Sequence, residues 1–334
     1  MSFNAFAAKA AASPLEPFTY DPHDLGPWDI EVAISHCGIC YSDIHLIDND
    51  WHMSQYPLVP GHEIIGTITE KGASVTDFEI GQRVGIGWQR SACLVCETCL
   101  GGDDNICPNS EATCAGHYGG FSDNIRADSR FAFDIPEELA SEKAGPLLCG
   151  GITTYSPFRL YGIQAHMKVG VIGIGGLGHL ALQFANAFGC EVTAFSTSPD
   201  KEAEAKEFGA HRFIPAGDPR ELKYAALSLD FLISTVHADL DWPTYLNILK
   251  PNGKLCFVGA APQPISVPAM TLIMGQRSVC GSAIGNRDRI HEMLDFCAHH
   301  GIVPKTEHMA MADCNAAIDK VKANRARYRM VLHN

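Results

Sequence analysis

Hydrophobic and polar positions divide the chain into two regimes. Apolar and polar side chains alternate from Ile30 to Ser35, which predicts a half-buried strand. A second strand is expected from Ile64 to Thr69, after Pro60-Gly61-His62-Glu63. Beyond Gly150, apolar runs of strand length alternate with helical stretches such as Lys201–Phe208. Strands are expected near Val169–Ile172, Glu191–Ser196, His211–Ile214, Asp230–Thr235, Lys254–Gly259 and Val279–Ile284. That alternation predicts an α/β unit with a doubly wound parallel sheet of about six strands. Asn286–His300 reads as a further amphipathic helix and Tyr328–Leu332 as a final strand. The longest apolar run, Val169 to Cys190, is broken by glycines and carries His179, Gln183 and Asn186 at helical spacing. A buried strand followed by an amphipathic helix explains it better than a membrane span.

The first of those strands leads into Gly173-Ile174-Gly175-Gly176-Leu177-Gly178. Glycines at this spacing between strand and helix fit a dinucleotide loop. The first makes the tight turn, the second lets a pyrophosphate approach the backbone, and the third lets helix pack on strand. The helix N-terminus adds free N–H groups and partial positive charge for the phosphates.

Composition narrows the class. A chain of 334 residues is long enough for two domains, each with its own core. The formal net charge of -13, without a long basic run, argues against nucleic acid and anionic membranes as partners. The opening MSFNAFAAKAAASPLEP has neither a basic start nor a continuous apolar core, so no signal peptide is expected. Thirteen cysteines, four of them clustered, suit metal binding in a reducing cytosol rather than a disulfide framework.

Cys93, Cys96, Cys99 and Cys107 are spaced C-x2-C-x2-C-x7-C on a loop with Gly101, Gly102 and Pro108. Four thiolates close a tetrahedral structural zinc site. An iron–sulfur loop is the alternative, but the last gap is too long for the bacterial ferredoxin run and no second cluster sequence follows. Cys37 and Cys40 form a CxxC, yet no βαβ pattern surrounds them to support a redox pair. Cys40, His62 and Cys149 together offer zinc three protein ligands. Three ligands with one open position is the catalytic pattern, whereas structural sites are closed by four.

The stretches GICYSDIH, VPGHEIIG, PLLCGGITTYSP, VGVIGIGGLGH, STSPDK and GSAIG, with the four-cysteine loop, run in order over nearly the whole chain. In these residues the chain resembles the zinc-dependent medium-chain dehydrogenases of the cinnamyl-alcohol-dehydrogenase type, bacterial NADPH-dependent aldehyde reductases included. The resemblance implies a discontinuous, mainly β GroES-like catalytic domain (1–151 and 286–334) around a Rossmann domain (152–285). It implies two zinc ions per chain and a small aldehyde or alcohol as substrate. A homodimer and a cytoplasmic enzyme are implied as well.

Residue by residue, Cys40, His62 and Cys149 match the catalytic zinc ligands, with Glu63 as an occasional one. Asp43 matches a support of the zinc shell, and Ser42 and His45 match a proton relay. Cys37 matches no ligand position and reads as a buried small residue. Thr153, the Ser234 to Val236 stretch with Thr235 and Val236, and the Ser282 to Ile284 stretch with Ser282 and Ile284 match nicotinamide contacts. Gly173, Gly175, Gly176, Leu177 and Gly178 match the pyrophosphate loop. Two positions depart from common practice in the family: Tyr41 and Glu202 stand where basic residues are frequent. Trp51 and Trp88 are either substrate-pocket walls or buried core.

The second strand of the nucleotide unit ends in Phe195-Ser196-Thr197-Ser198, with no acid at its tip. NAD enzymes of this fold place an Asp or Glu about 20 residues past the glycine loop to hold the ribose 2′-hydroxyl. Ser196, Thr197 and Ser198, with Lys201 nearby, instead suit a 2′-phosphate, so NADP(H) is the expected cofactor. The competing functions are a polyol or amino-alcohol dehydrogenase of the same superfamily, an iron–sulfur electron carrier, and a catalytically silent nucleotide-binding regulator.

Overall fold

A computed structural model of the chain describes residues 2–261 and 263–334. It divides into two compact units, Met1–Ile152 with Gly285–Asn334, and Thr153–Ile284.

The first unit is built on a seven-stranded sheet. Its central strand, Asp29–Ile39, runs further than the alternation predicted. It is held on one side by Ile64–Lys71. On the other side Asn124–Asp128 pairs with its first half and Arg329–His333 with its second. The extension carries Cys37 into the strand, where it is fully buried in the core. Continuous partners on both edges explain why pairing persists beyond the amphipathic stretch. Arg83–Ile86 and Ala132–Asp134 extend the sheet on one flank, and Thr306–Ala310 closes the other.

The second unit is a six-stranded, wholly parallel sheet. Its spatial order is Arg212–Pro215, Glu191–Ser196, Lys168–Ile172, Leu229–Ser234, Leu249–Phe257 and Ser278–Gly281. In chain order this is 3-2-1-4-5-6, the dinucleotide-binding arrangement. Two strands differ from the sequence reading. The fifth starts at Leu249, which pairs with Leu229 ahead of an irregularity, and pairing resumes at Lys254. The sixth stops at Gly281, and Ile284 takes a positive φ of 24° that ends the extended run.

The helix after the glycine loop, Gly178–Ala187, is amphipathic but more deeply buried than expected. His179 was expected on its polar face. It is instead fully buried, with Nδ1 3.1 Å from the carbonyl of Gly175 and its ring edge-on to Phe208 at 5.3 Å. The carbonyl satisfies the imidazole locally, so burial leaves no unpaired polar atom there.

Candidate metal centres and nucleotide loop

Cys40 is the residue at which the central strand becomes a helix. It caps Tyr41–Asp48, and Asp43, three residues on, accepts the Cys40 backbone N–H at 2.9 Å. The same carboxylate accepts the Gly61 N–H at 2.8 Å and meets His62 Nδ1 at 2.9 Å. Gly61 has φ +104°, and an added Cβ would lie 2.6 Å from the Phe121 ring. Only glycine allows this turn, which delivers His62 and Glu63 to the site. Cys149 follows the short turn Gly145–Leu148. A Cβ at Gly145 would stand 2.7 Å from the Glu63 carbonyl, so that close approach also needs glycine.

These elements bring one ligand atom each from Cys40, His62, Glu63 and Cys149 to within 4.8 Å of one another. All four residues are buried. Cys149 Sγ lies 3.7 Å from Cys40 Sγ and 3.3 Å from His62 Nε2. The hydrogen bond shared by the two sulfurs holds the Cys40 thiol well below its ordinary pKa and Cys149 well above. Burial opposes charge on His62, but Asp43 and the Cys149 sulfur outweigh it and raise its pKa. Asp43 holds Nδ1, so Nε2 faces the sulfurs, the usual second partner of a metal-binding imidazole.

Glu63 is fixed from behind by Arg329, whose Nη2 donates to Oε1. Burial raises the Glu63 pKa, with Arg329 opposing. Its other oxygen, Oε2, is buried without a protein partner. A Cβ at Gly38 would lie 2.0 Å from that oxygen, so a glycine there keeps its space open. Two soft sulfurs, an oriented imidazole and a carboxylate with an unpartnered oxygen form a donor set that fits Zn2+.

Ser42 Oγ is 3.6 Å from Cys40 Sγ. His45 is mostly buried, with Nδ1 2.7 Å from Asp50 Oδ2. Trp51 lies against the His45 ring at 4.9 Å, and Trp88 stands perpendicular to the His62 ring at 4.9 Å. Both tryptophans therefore border the centre, Trp51 partly exposed and Trp88 half-buried. Arg329, Asp50 and Cys114 were not singled out in the sequence. Cys114 Sγ lies 3.9 Å from both Asp43 Oδ1 and His62 Nδ1.

The second cluster holds Cys93, Cys96, Cys99 and Cys107. Cys107 Sγ lies 3.6 Å from Cys93 Sγ and 3.7 Å from Cys96 Sγ, and Cys93 Sγ lies 4.0 Å from Cys99 Sγ. A tetrahedron of 2.3 Å zinc–sulfur bonds has edges of about 3.8 Å, so the cluster matches it. Backbone N–H groups of Cys96 and Asn109 point at Cys93 and Cys107 sulfurs, both at 3.4 Å. The Thr98 hydroxyl and the Cys99 backbone hold Cys96 down to about 6, and backbone N–H groups of Val95 and Cys96 lower Cys93. Burial and the neighbouring sulfurs push Cys99 up to about 12. The loop is tied down by Arg287, whose Nε is 2.6 Å from Asp104 Oδ2, and by Asn286 donating to the Gly102 carbonyl at 2.6 Å. Cys37 has no place in either cluster; burial pushes its thiol up.

In the second unit, Gly173 has φ +87° and makes the turn. Nothing lies within 4 Å of a Cβ built on Gly175, so its backbone face is open. A Cβ on Gly178 would be 1.8 Å from the Gly173 carbonyl, which forces glycine where the helix packs on the loop. Gly176 and Leu177 complete the loop between them. Thr235 Oγ1 donates to the Ile172 and Gly173 carbonyls, both at 3.0 Å, and Val236 packs beside Gly173.

At the tip of the second strand, Ser196 Oγ accepts the Ser198 N–H at 3.1 Å and Thr197 is exposed. Lys201 Nζ reaches the Ile174 carbonyl at 2.8 Å, which sets its charge at the glycine loop. Glu202, a source of opposing charge, is engaged with Lys206 at 2.7 Å. Thr153 is buried on the helix Gly150–Leu160, while Ser282 and Ile284 follow the last strand.

Residues 26–137 match the alcohol dehydrogenase GroES-like domain, and residues 176–299 match the zinc-binding dehydrogenase family. The aldehyde reductase AdhA of Synechocystis sp. is 44% identical over 98% of this chain and 98% of its own length. A cinnamyl alcohol dehydrogenase structure from Sorghum bicolor, 38% identical, superposes with a TM-score of 0.96 over 100% of this chain and 98% of that one. The cinnamyl alcohol dehydrogenase of Helicobacter pylori, solved with NADP(H), is 34% identical with a TM-score of 0.93, over 100% and 98% of the two chains. With two metal-competent cysteine clusters in one unit and a 3-2-1-4-5-6 nucleotide sheet in the other, this chain belongs to the zinc-binding alcohol dehydrogenase family.

Proposed function

We propose that this protein is a zinc-dependent alcohol dehydrogenase that works mainly as an NADP(H)-linked aldehyde reductase. The convergence of Cys40, His62 and Cys149, with the Ser42 hydroxyl beside them, carries that reading. The names of the relatives support an aldehyde or primary alcohol as substrate, and the NADP(H) complex of the Helicobacter pylori enzyme supports the cofactor.

Cys40, His62 and Cys149 would hold the catalytic zinc, with Glu63 in reserve, and Cys93, Cys96, Cys99 and Cys107 the structural one. Bound there, zinc supplies a Lewis acid for the carbonyl oxygen, and the nicotinamide supplies hydride. Asp43 keeps His62 in the tautomer that presents Nε2. Ser42 gives its hydroxyl proton to the substrate oxygen as the alcohol forms, and His45 resupplies it from Nε2 while Asp50 anchors Nδ1. An imidazole suits this step because its ordinary pKa is near neutrality. Gly173, Gly175, Gly176, Leu177 and Gly178 receive the pyrophosphate. Ser196, Thr197, Ser198 and Lys201 receive the 2′-phosphate, and Thr153, Thr235, Val236, Ser282 and Ile284 position the nicotinamide. Trp51 and Trp88 wall an apolar substrate space, which favours aromatic or medium-chain aldehydes. Such pockets discriminate weakly, by roughly 1–3 kcal/mol per methylene, so breadth is expected.

The assembly is a homodimer and the compartment the cytoplasm. The exposed apolar Met270, Ile273 and Met274 on Ala269–Gly275, beside the edge strand Ser278–Gly281, support self-association. The described cysteines are all unpaired, which suits a reducing compartment. No described helix is long and apolar enough to cross a membrane. The test is steady-state kinetics of the zinc-loaded protein on aldehydes, ketones, sorbitol and threonine. Aldehydes should give the highest kcat/KM; preference for sorbitol or threonine would make it a polyol or amino-alcohol dehydrogenase.

A further inference from the structure

A half-open cavity of about 350 Å³ opens in the first unit, and no candidate metal ligand lines it. Phe3, Tyr20 and Tyr118 form one wall. The Tyr20 ring stands edge-on to Phe3 at 5.7 Å and lies against Tyr118 at 4.4 Å. Arg90 and Arg126 both line it, with His23, His117 and Asp21, and Arg126 is paired with Glu31.

The charges around Arg90 are already engaged with other partners. Asp29 meets His23 at 3.0 Å, Glu111 meets His117 at 3.3 Å, Asp128 meets Arg130 at 2.5 Å and Glu31 meets Arg126 at 2.8 Å. Arg90 itself donates from Nη1 to the Arg126 carbonyl at 3.1 Å, and among the described residues no carboxylate pairs with it. Burial lowers its pKa despite Asp29, Glu111 and Asp128 in the neighbourhood. A half-buried guanidinium has five donors, so most of this fork is left for a ligand. A cation partly withdrawn from water, with carboxylates near it but none of the described ones in hydrogen-bond contact, gains from an incoming anion that its fork can grip directly.

Shape and charge select the anion. A guanidinium receives a carboxylate on two parallel N–H groups, and aromatic walls receive a flat apolar body. Asp21 opposes a second negative charge. We infer that this cavity binds a planar organic monocarboxylate, its carboxylate on Arg90 and its ring against Tyr20 and Tyr118.

The experiment is calorimetric titration of benzoate into the zinc-loaded, cofactor-free protein, with acetate and inorganic phosphate as comparison ligands. Benzoate should bind at one saturable site per chain, more tightly than acetate, and phosphate should not displace it. Arg90→Ala should weaken benzoate by roughly tenfold or more, the scale of a charge-assisted pair. Arg90→Lys, which keeps charge but loses the fork, should fall between. Both variants should keep aldehyde reduction and melting temperature essentially unchanged, which separates this site from the metal centre. Tyr118→Ala provides an independent variant and should weaken benzoate while leaving acetate unaffected. Unchanged benzoate affinity in Arg90→Ala, absence of benzoate binding, or displacement by phosphate would each overturn the proposal.

Discussion

The Asp43 carboxylate stands 2.9 Å from His62 Nδ1 and, through its other oxygen, 2.9 Å from the backbone nitrogen of Cys40. One acidic side chain therefore orients two candidate ligands that lie 22 residues apart in sequence (62 minus 40). Asp43→Asn keeps the size but can present its amide to Nδ1 and favour the wrong tautomer. Zinc affinity at this centre should fall about 10- to 100-fold, the usual cost of losing such a support. Chelator competition on wild type and variant measures it, and the cysteine-rich site should keep its metal.

Arg329 and Glu63 form a fully buried pair with no solvent to take up either charge. Arg329→Met should strand the carboxylate and destabilise the protein by roughly 3–5 kcal/mol. Glu63→Gln combined with Arg329→Met should recover much of that loss, because no isolated charge remains. Urea unfolding of the single and double variants decides it. Equal loss in both would mean that packing, not charge, dominates.

The two cysteine clusters should fail in different ways. Cys93→Ser opens a four-thiolate site that ties down its loop, so one zinc per chain and a clear drop in melting temperature are expected. Cys40→Ser should abolish turnover while leaving a folded protein that still binds nucleotide. Metal content, melting and activity of both variants are the readouts. Unchanged metal content and melting in Cys93→Ser would contradict the structural assignment.

Much of this organisation is legible in the sequence because short spacing encodes it. The four-cysteine loop and the glycine loop are local patterns whose chemistry follows from residue type and separation. Arg329 was not legible: it lies 266 positions from Glu63, and only the pairing of Arg329–His333 with Asp29–Ile39 brings them together. Cys114 and Asp50 were missed for a related reason, since neither carries a spacing that marks it as a neighbour of His62 or His45. His179 misled because helical spacing says which residues share a face, not whether that face meets solvent; a backbone carbonyl satisfies it in the interior. The strand expected from Lys254 begins earlier, because Leu249 already pairs with Leu229 ahead of an irregularity that breaks the apolar run.

Lys201 follows the serine-rich strand tip closely in sequence and sets its ammonium on the Ile174 carbonyl of the glycine loop. Lys201→Ala should lower kcat/KM for NADPH more than for NADH, by roughly tenfold or more if one charge-assisted bond to the 2′-phosphate is lost. Ser196→Asp should act in the same direction by repelling that phosphate. Parallel kinetics with both cofactors test this. Equal losses for NADPH and NADH would assign Lys201 to holding the glycine loop alone.

Zinc at the Cys40–His62–Cys149 centre and NADP(H) together should reduce an aldehyde. The most direct measurement follows nicotinamide oxidation driven by an aromatic aldehyde, with NADPH and NADH side by side. It is repeated after removing the metal with a chelator and again after returning zinc. Turnover should prefer NADPH, disappear with the metal and return with zinc. Undiminished turnover by the metal-free protein, or equal use of NADH, would contradict it.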